Sequence, residues 1–326
     1  MSESALRILV TGASGFIGQH LVPRLCQNGH QVRCLTRSGR KLFSDLPVTT
    51  VPGDITSFAD ILAATIDVDV VFNLAGMVSY RSRDLPEQLA VNVDGVQNVM
   101  QACLQNKVAR VVHTSSVAAF GIPEPKGRVA DEDFVYNLSG RGLTYCDTKH
   151  KGELVVTSFF EQGLNVVMLN PGIIFGEGDS HAHHHAIFRS MSRGVLAVPS
   201  GGIPFSDIND VVEAHLNAIT MGRAGERYSL VSANLSFSDA ASIFANIYHC
   251  NKPLFELPDW LVIATGFLSE SLYALGLPTK LTRQQAWLSC QRIFFNSKKA
   301  QSDLAFKPTP FQKTVERTAS YYLKRV

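Results

Sequence analysis

A glycine-rich turn near the start of the chain constrains its fold more than any other feature. The segment Thr11-Gly12-Ala13-Ser14-Gly15-Phe16-Ile17-Gly18 follows an apolar run that ends at Val10 and precedes a helical pattern. Glycines at this spacing allow a tight turn, close helix–strand packing, and the approach of a phosphate to backbone N–H groups. The turn therefore predicts a dinucleotide site whose first contacts are Gly12, Ser14, Gly15, Phe16, Ile17 and Gly18.

Short apolar runs alternate with helix-length segments through the first two thirds of the chain. The predicted strands are Arg7–Val10, Val32–Thr36, Val48–Val51, Val68–Phe72, Arg110–Thr114 and Asn165–Leu169, and the helices between them include Gly18–Asn28 and Leu89–Gln105. Strands this apolar suit a parallel sheet that is covered on both faces. We expect an α/β fold of the Rossmann type, with a doubly wound parallel sheet.

This regular alternation ends after Leu169. A helix is predicted over Asp210–Met221, and a further half-lobe begins near Leu235. We expect residues 1–170 to form the cofactor domain, with sheet elements returning around 203–231. Residues 171–202 and 232–326 are expected to form a smaller, mainly C-terminal substrate lobe.

The composition argues against several classes of protein. The 326 residues are 45% hydrophobic and 18% charged, and the net charge of +2 provides no basic stripe for nucleic acid. Six cysteines without a CxxC pair indicate reduced thiols. The first residues lack the basic start and apolar core of a signal peptide. We therefore expect a cytoplasmic protein that does not bind nucleic acid.

The most apolar later stretch runs from Trp260 to Leu277. It contains Ser269, Glu270 and Ser271, and it is shorter than the roughly 20 apolar residues that a membrane span requires. We predict a buried or groove-lining helix, with contact at a membrane surface as the alternative because both ends are apolar.

The residue after the second predicted strand bears on the choice of cofactor. An acidic side chain here binds the ribose 2′-hydroxyl in NAD enzymes, but this strand ends at Thr36 and Arg37 follows. A guanidinium suits a 2′-phosphate. NADP(H) is therefore predicted as the preferred cofactor, with NAD(H) as the alternative.

A tyrosine and a lysine lie four residues apart at Tyr145 and Lys149, which places them on one face of a helix. A neighbouring ammonium favours the phenolate and lowers the tyrosine pKa toward the working range. Upstream, Thr114, Ser115 and Ser116 end a strand at the sheet edge where ligands bind. We predict that Ser116, Tyr145 and Lys149 are catalytic, that Ser115 is a weaker candidate, and that Thr114 lies beside the cofactor.

Together these motifs resemble the extended short-chain dehydrogenases/reductases, in the branch of dihydroflavonol reductases and 3β-hydroxysteroid dehydrogenases. The resemblance extends over nearly the whole chain. Its further motifs are Gly53-Asp54-Ile55, Asn73-Leu74-Ala75-Gly76, Asn92-Val93-Asp94-Gly95, Asn170-Pro171-Gly172-Ile173-Ile174-Phe175-Gly176, Asp210-Val211 with His215, and Asn296-Ser297-Lys298-Lys299-Ala300.

This resemblance implies roles for particular residues. Additional cofactor contacts are implied at Asp54, Ile55, Leu74, Ala75, Gly76, Asn92, Pro171, Gly172, Ile173 and Ile174. Lys149 would also bond the nicotinamide ribose, and Tyr145 would move a proton while hydride passes. The pair Phe120-Gly121 resembles the family's tyrosine-glycine pair, and counting back from it favours Ser116. The resemblance is compatible with a homodimer but does not decide the oligomeric state.

The candidate substrate residues are mostly apolar and comprise Met77, Val78, Tyr80, Phe120, Phe175 and Phe188. They favour a ketone or secondary alcohol on a lipophilic small molecule. One alternative is a nucleotide-sugar epimerase or dehydratase. The segment Gly201-Gly202-Ile203-Pro204-Phe205 lacks the arginine typical of those enzymes, although Arg283 and Arg292 are available. A second alternative is a non-catalytic NADP-sensing regulator, a class that generally loses the tyrosine or the lysine.

Four histidines cluster between His181 and His185. Successive histidines in a loop have poor geometry for a metal ion, even with Asp179 nearby. We predict no metal site and interpret this segment as a mobile polar lid over the substrate cleft.

Overall fold

The structure is a computed structural model that describes residues 5–178 and 193–323. The strands are β1 (Arg7–Thr11), β2 (Gln31–Thr36), β3 (Val48–Pro52), β4 (Val70–Asn73), β5 (Arg110–Thr114), β6 (Val129–Ala130), β7 (Val166–Pro171), β8 (Ile173–Phe175), β9 (Ala197–Pro199), β10 (Gly202–Asp207), β11 (Arg227–Leu230), β12 (Ala233–Ser236), β13 (Phe255–Leu257) and β14 (Phe294–Phe295). The described α-helices are α1 (Phe16–Gln27), α2 (Phe58–Ala64), α3 (Leu85–Leu89), α4 (Gly95–Gln105), α5 (Thr144–Glu161), α6 (Ile208–Asn217), α7 (Phe237–Tyr248), α8 (Asp259–Ala274), α9 (Arg283–Ser289), α10 (Lys298–Asp303) and α11 (Phe311–Leu323).

The main sheet has seven strands in the order β11-β7-β5-β4-β1-β2-β3. All neighbouring strands in it run parallel. From β1 the chain proceeds outward through β2 to β3, and it then returns to β4 on the other side of β1. This reversal opens a crevice at the carboxyl ends of β1 and β4, where such sheets bind ligands. The doubly wound parallel sheet predicted from the sequence is confirmed.

The central strands are buried because helices cover both faces of the sheet. Successive residues alternate between the two cores, so that Phe72 packs in the core that includes Leu21 of α1 and Val212 of α6. Its neighbour Val71 packs in the opposite core with Met100 of α4 and residues of α2 and α5. This two-residue alternation places successive side chains of a strand on opposite faces of the sheet.

The predicted helix Leu89–Gln105 is divided in the structure. It consists of α3, a π-helical turn over Ala90–Asp94, and α4. Within the turn, the Asn92 side chain accepts a hydrogen bond from the Met77 backbone N–H at 2.8 Å and donates to the Met77 carbonyl at 2.9 Å. These bonds link the turn to the loop after β4.

The remaining strands outside the main sheet form smaller sheets. Strands β12, β10 and β8 form a three-stranded sheet, β13 pairs with β9, and β14 pairs with β6. The β10 sheet, α7 and α11 enclose an aromatic core that includes Phe175, Phe205, Phe244 and Phe311. Strand β11 belongs to the main sheet, and the exact division of the chain into two lobes stays a prediction.

The prediction of a buried or groove-lining helix at Trp260–Leu277 was wrong. Helix α8 begins at Asp259, but only Val262 and Gly266 are buried, and Trp260 and Leu268 are 71% and 61% exposed. It packs along α9 on one face, where a Cβ on Gly266 would lie 2.5 Å from Ala286 Cβ. Among the described helices, none is long and apolar enough to cross a membrane.

Candidate active site

The glycine turn lies at the crevice between β1 and β4. Gly12 has a φ of +67°, and a Cβ on it would lie 2.7 Å from the Ala75 backbone nitrogen after β4. Helix α1 starts after Gly15, without a hydrogen bond from a capping side chain and without an acidic residue in its first turn. Its first N–H groups are therefore oriented to bind an anion. This cradle fits the pyrophosphate of a dinucleotide.

Hydrogen bonds between side chains connect the ends of three strands beneath this cradle. The Thr11 hydroxyl donates to Asn73 Oδ1 at 2.7 Å and accepts from the Ala75 N–H at 3.3 Å. Asn73 Nδ2 lies 3.1 Å from Nδ1 of His113. Burial, together with the charge of Lys149, lowers the His113 pKa well below its usual value. Sequence reasoning missed Thr11 and His113 as site residues, because their partners are distant along the chain.

Arg37 follows β2 and is exposed. Within the described ranges its guanidinium has no hydrogen bond or ion pair. The sequence interpretation missed two further exposed cations in the same loop, Arg40 and Lys41. Residues 37–41 carry three cations and no carboxylate, which fits a ribose 2′-phosphate.

Asp54 and Ile55 lie in the turn after β3. Asp54 Oδ1 accepts hydrogen bonds from the Thr56 N–H at 2.9 Å and from its hydroxyl at 3.0 Å. The Ile55 side chain is buried against Gly95, where an added Cβ would lie 2.8 Å from Ile55 Cδ1. The carboxylate therefore shapes the turn, and the Ile55 side chain packs in the core.

Helix α5 carries Tyr145 and Lys149 toward the end of β5. A Cβ on Gly152 would lie 2.5 Å from the Asn92 carbonyl, so glycine allows this helix to approach the π-helical turn closely. The Lys149 side chain is buried, and its Nζ donates to the Thr114 carbonyl at 3.0 Å. Asn92 lines the same cavity, and its amide is already bonded to Met77 and to Thr148 Oγ1 at 3.2 Å.

Ser116 and Tyr145 come together as the sequence predicts. Ser116 caps the short 3₁₀ helix Val117–Ala119, because its Oγ accepts from the Ala118 N–H at 3.2 Å. Removal of the Tyr145 ring from water raises its pKa to about 12, and a hydrogen bond with Ser116 opposes this rise. The prediction that Lys149 lowers the phenol pKa toward neutrality differs from this result, because burial dominates. Tyr145 is therefore a protonated phenol at neutral pH.

Lys149 experiences two opposing effects. Burial lowers its pKa to about 8, since the charged form loses hydration, while the negative charge of Glu153 raises the value. The ammonium therefore titrates close to physiological pH.

Ser116, Tyr145 and Lys149 border a cavity of about 610 Å³. It is lined by Ile17, Leu74, Gly76, Met77, Val78, Tyr80, Asn92, Thr114, Ser115, Ser116, Val117, Ala118, Gly121, Ile122, Leu138, Tyr145, Cys146, Lys149, Pro171, Gly172, Ile173, Ile174, Ile203, Pro204, Phe237, Gln285, Leu288, Ser289 and Ile293. Lys149 is the one lysine or arginine among these described lining residues. Sequence reasoning missed the wall formed by α9 and Ile293.

Two of the predicted substrate residues do not line this cavity. Phe120 is buried against Phe295, with ring centroids 5.1 Å apart, and Phe175 belongs to the aromatic core of the small sheet. Both side chains face away from the cavity because local packing buries them. Phe188, Asp179 and the histidines of residues 181–185 lie outside the described residues. In the described parts of the chain, no three His, Cys, Asp or Glu side chains form a group that could hold a metal ion.

The two adjacent serines allow a direct test of the site. We expect Ser116→Ala to lower kcat by about a hundredfold, as loss of one donor to a developing oxyanion does. Ser115→Ala is the matched control, because Ser115 lines the cavity while its buried Oγ has no hydrogen-bond partner among the described residues. Steady-state kinetics and melting temperatures of both variants check this expectation. A larger loss of kcat in Ser115→Ala would reverse the assignment.

Comparisons with known proteins agree with the motifs. A protein named as a dihydroflavonol 4-reductase from Synechocystis sp. is 26% identical over 322 residues, 96% of this chain and 93% of the relative. Sterol demethylase protein B of Methylococcus capsulatus is 30% identical over 279 residues, 84% of each chain. A 3-beta-hydroxysteroid dehydrogenase of Mycolicibacterium neoaurum is 34% identical over 204 residues, 59% of this chain and 52% of the relative.

Solved structures share the fold over nearly the whole length. The crystal structure of gox2253 superposes with a TM-score of 0.83 at 26% identity and covers 98% of both chains. MoeE5, in complex with UDP-glucuronic acid and NAD, superposes with a TM-score of 0.76 at 23% identity, covering 98% of this chain and 100% of the other.

The family itself follows from a match over more than half of the chain. The model of the NAD dependent epimerase/dehydratase family matches residues 8–231, which include the glycine turn, Ser116, Tyr145 and Lys149. The resemblance inferred from the sequence motifs is thereby confirmed. The chain belongs to the NAD dependent epimerase/dehydratase family and is a nicotinamide-dependent enzyme.

Proposed function

We propose that the enzyme is an NADP(H)-dependent oxidoreductase that interconverts a ketone and a secondary alcohol on a lipophilic small molecule. The observation that carries this proposal is the cavity at Ser116, Tyr145 and Lys149. Beyond these residues its wall is mostly apolar, with Ile122, Leu138, Leu288 and Ile293 among the lining side chains.

The residues divide the chemistry among them. When bound, the nicotinamide supplies or accepts the hydride. In the direction of reduction, Ser116 donates a hydrogen bond to the substrate oxygen, and the Tyr145 phenol transfers its proton to that oxygen. A phenol pKa of about 12 keeps this proton in place at neutral pH until the oxygen becomes basic. The charged Lys149 stabilises the phenolate that remains.

The wall of the cavity also bears on the epimerase alternative. A nucleotide-sugar substrate carries a diphosphate, which requires cationic or bidentate partners. Arg292 borders a separate small cleft with Lys126 and Glu124 rather than the main cavity. The lining therefore favours an uncharged, lipophilic substrate over a sugar nucleotide.

A substrate screen tests the proposal. Purified enzyme with NADPH is offered flat and long-chain lipophilic ketones, and oxidation of the cofactor is followed by absorbance. UDP-sugars are tested in parallel for a rise in melting temperature beyond that of the cofactor alone. Turnover of a lipophilic ketone supports the proposal. Stabilisation by UDP-sugars without ketone turnover would favour the epimerase, and binding of NADPH without any turnover would favour a regulator.

The preference for NADP(H) rests on Arg37. We expect Arg37→Ala to lower kcat/KM for NADPH by about tenfold to a hundredfold, the effect of losing one charge-assisted hydrogen bond, and to change the value for NADH little. Lys313→Ala is the matched control, because it also removes one exposed cation, but from the helix Phe311–Leu323 rather than from the loop after β2. Kinetics with both cofactors check this, and an unchanged preference would show that Arg37 does not bind the phosphate.

A further inference from the structure

Beneath the active site, a buried network surrounds Glu153 on α5. Glu153 lies four residues after Lys149 and eight after Tyr145, so the three side chains share one face of the helix. Its side chain is buried, but it does not line the cavity. Glu153 therefore cannot touch a substrate held there, and its effect must pass through other residues.

Both carboxylate oxygens of Glu153 have partners. Oε1 accepts a hydrogen bond from Asn170 Nδ2, and Oε2 accepts from Arg227 Nη1 at 3.2 Å. Asn170 Nδ2 also donates to the Ser116 carbonyl at 3.0 Å. The carboxylate is thus connected through one amide to the backbone of Ser116.

Arg227 is held firmly on β11. Its Nη2 donates to the Phe134 carbonyl at 3.2 Å, and its guanidinium carbon lies 4.6 Å from the centre of the Phe120 ring. A buried carboxylate is stable only when it is paired and hydrogen-bonded, and Arg227 and Asn170 provide this. Arg227 and Asn170 therefore hold the Glu153 carboxylate in place, and its charge acts on Lys149.

We propose that Glu153 is a positioning residue of this active site, which keeps Lys149 charged and fixes the backbone at Ser116. The inference rests on the proposed function in one respect, the contact of Lys149 with the nicotinamide ribose. It explains why the buried Lys149 retains its proton near neutral pH.

The other ionisable groups around Lys149 do not replace Glu153. Strand β5 presents His113, whose low pKa leaves it uncharged, and α5 itself presents the protonated Tyr145. On the segments packed against α5, Glu87 and Asp94 are exposed to solvent. Burial raises the pKa of Glu132, and its carboxylate already accepts a hydrogen bond from the Ser229 N–H at 2.8 Å and is attracted to Lys299.

The test is the pH dependence of NADPH affinity, followed by the fluorescence of the reduced nicotinamide, because it requires no turnover. Lys149 loses its charge as the pH rises through its pKa of about 8, so the NADPH affinity of the wild type should fall in this range. Lys149→Met should abolish this fall. Glu153→Gln removes the charge that favours the ammonium. The midpoint should therefore move down by about one pH unit.

A second variant, which should shift the pH midpoint in the opposite direction, keeps the test decisive if Glu153→Gln does not fold. Arg227→Met removes the positive charge that neutralises Glu153, while Asn170 still donates a hydrogen bond to the carboxylate, so the midpoint should move upward. Glu161→Gln, at the exposed end of α5, is the matched control and should leave the midpoint unchanged. Lower NADPH affinity in both variants without a change in the pH midpoint would assign Glu153 a structural role only. The same conclusion would follow if the NADPH affinity of the wild type did not fall as the pH rises. Shifted midpoints in an enzyme that reduces no ketone would uphold this inference and refute the proposed function.

Discussion

Replacing Tyr145 by phenylalanine is expected to lower kcat by about a thousandfold, within the range that loss of a positioned proton donor produces. The substitution removes only the hydroxyl that shares a hydrogen bond with Ser116. The ring remains in edge contact with Tyr80, with centroids 5.6 Å apart, so the cavity wall should keep its shape. NADPH affinity should therefore stay close to that of the wild type, as measured by fluorescence titration beside steady-state kinetics.

Tyr80→Phe is the matched control for this variant. It removes a second phenolic hydroxyl from the same cavity, and Tyr80 likewise has its pKa raised by burial. A loss confined to Tyr145→Phe would identify the proton donor by position rather than by residue type. Equal losses in both variants would show that the cavity depends on its hydroxyls collectively, and retained activity in Tyr145→Phe would refute its catalytic role.

Much of the main sheet could be predicted because its determinants are local. Six of its seven strands, all except β11, were predicted from short runs rich in apolar residues, and the glycine turn lies directly between β1 and α1. The spacing of Tyr145 and Lys149 likewise requires only one helix. These features depend on residues within a few positions of one another, so sequence patterns report them directly.

Features that depend on distant contacts could not be predicted in the same way. Helix α9 forms a wall of the cavity, and Gln284 Oε1 accepts a hydrogen bond from the Thr144 N–H at 3.2 Å across 140 positions. Phe120 follows Ser116 closely in the sequence, but its ring packs against Phe295 in a buried cluster and does not line the cavity. The Glu153 network had one local sign, a carboxylate four residues after Lys149, but Arg227 lies 74 positions away.

The glycine turn offers the second large effect. We expect Gly12→Ala to lower the free energy of unfolding by about 3–5 kcal/mol, because strain at positive φ adds to overpacking against the end of β4. The new Cβ would lie 2.7 Å from the Ala75 nitrogen and 2.8 Å from the Leu74 carbonyl carbon. Backbone cannot yield as a flexible side chain would, so β1 and β4 must separate. NADPH affinity should fall as well, since the crevice between these strands forms the cradle.

Gly29→Ala separates the two causes of this loss. Gly29 follows α1 with a φ of +82°, and nothing lies within 4 Å of a Cβ added there. It should therefore lose only the strain of the left-handed backbone, about 1–2 kcal/mol, with cofactor affinity unchanged. Denaturant unfolding and NADPH titration of both variants measure the difference. Equal destabilisation would mean that backbone strain alone requires glycine at position 12, and that the close approach of β4 does not select it.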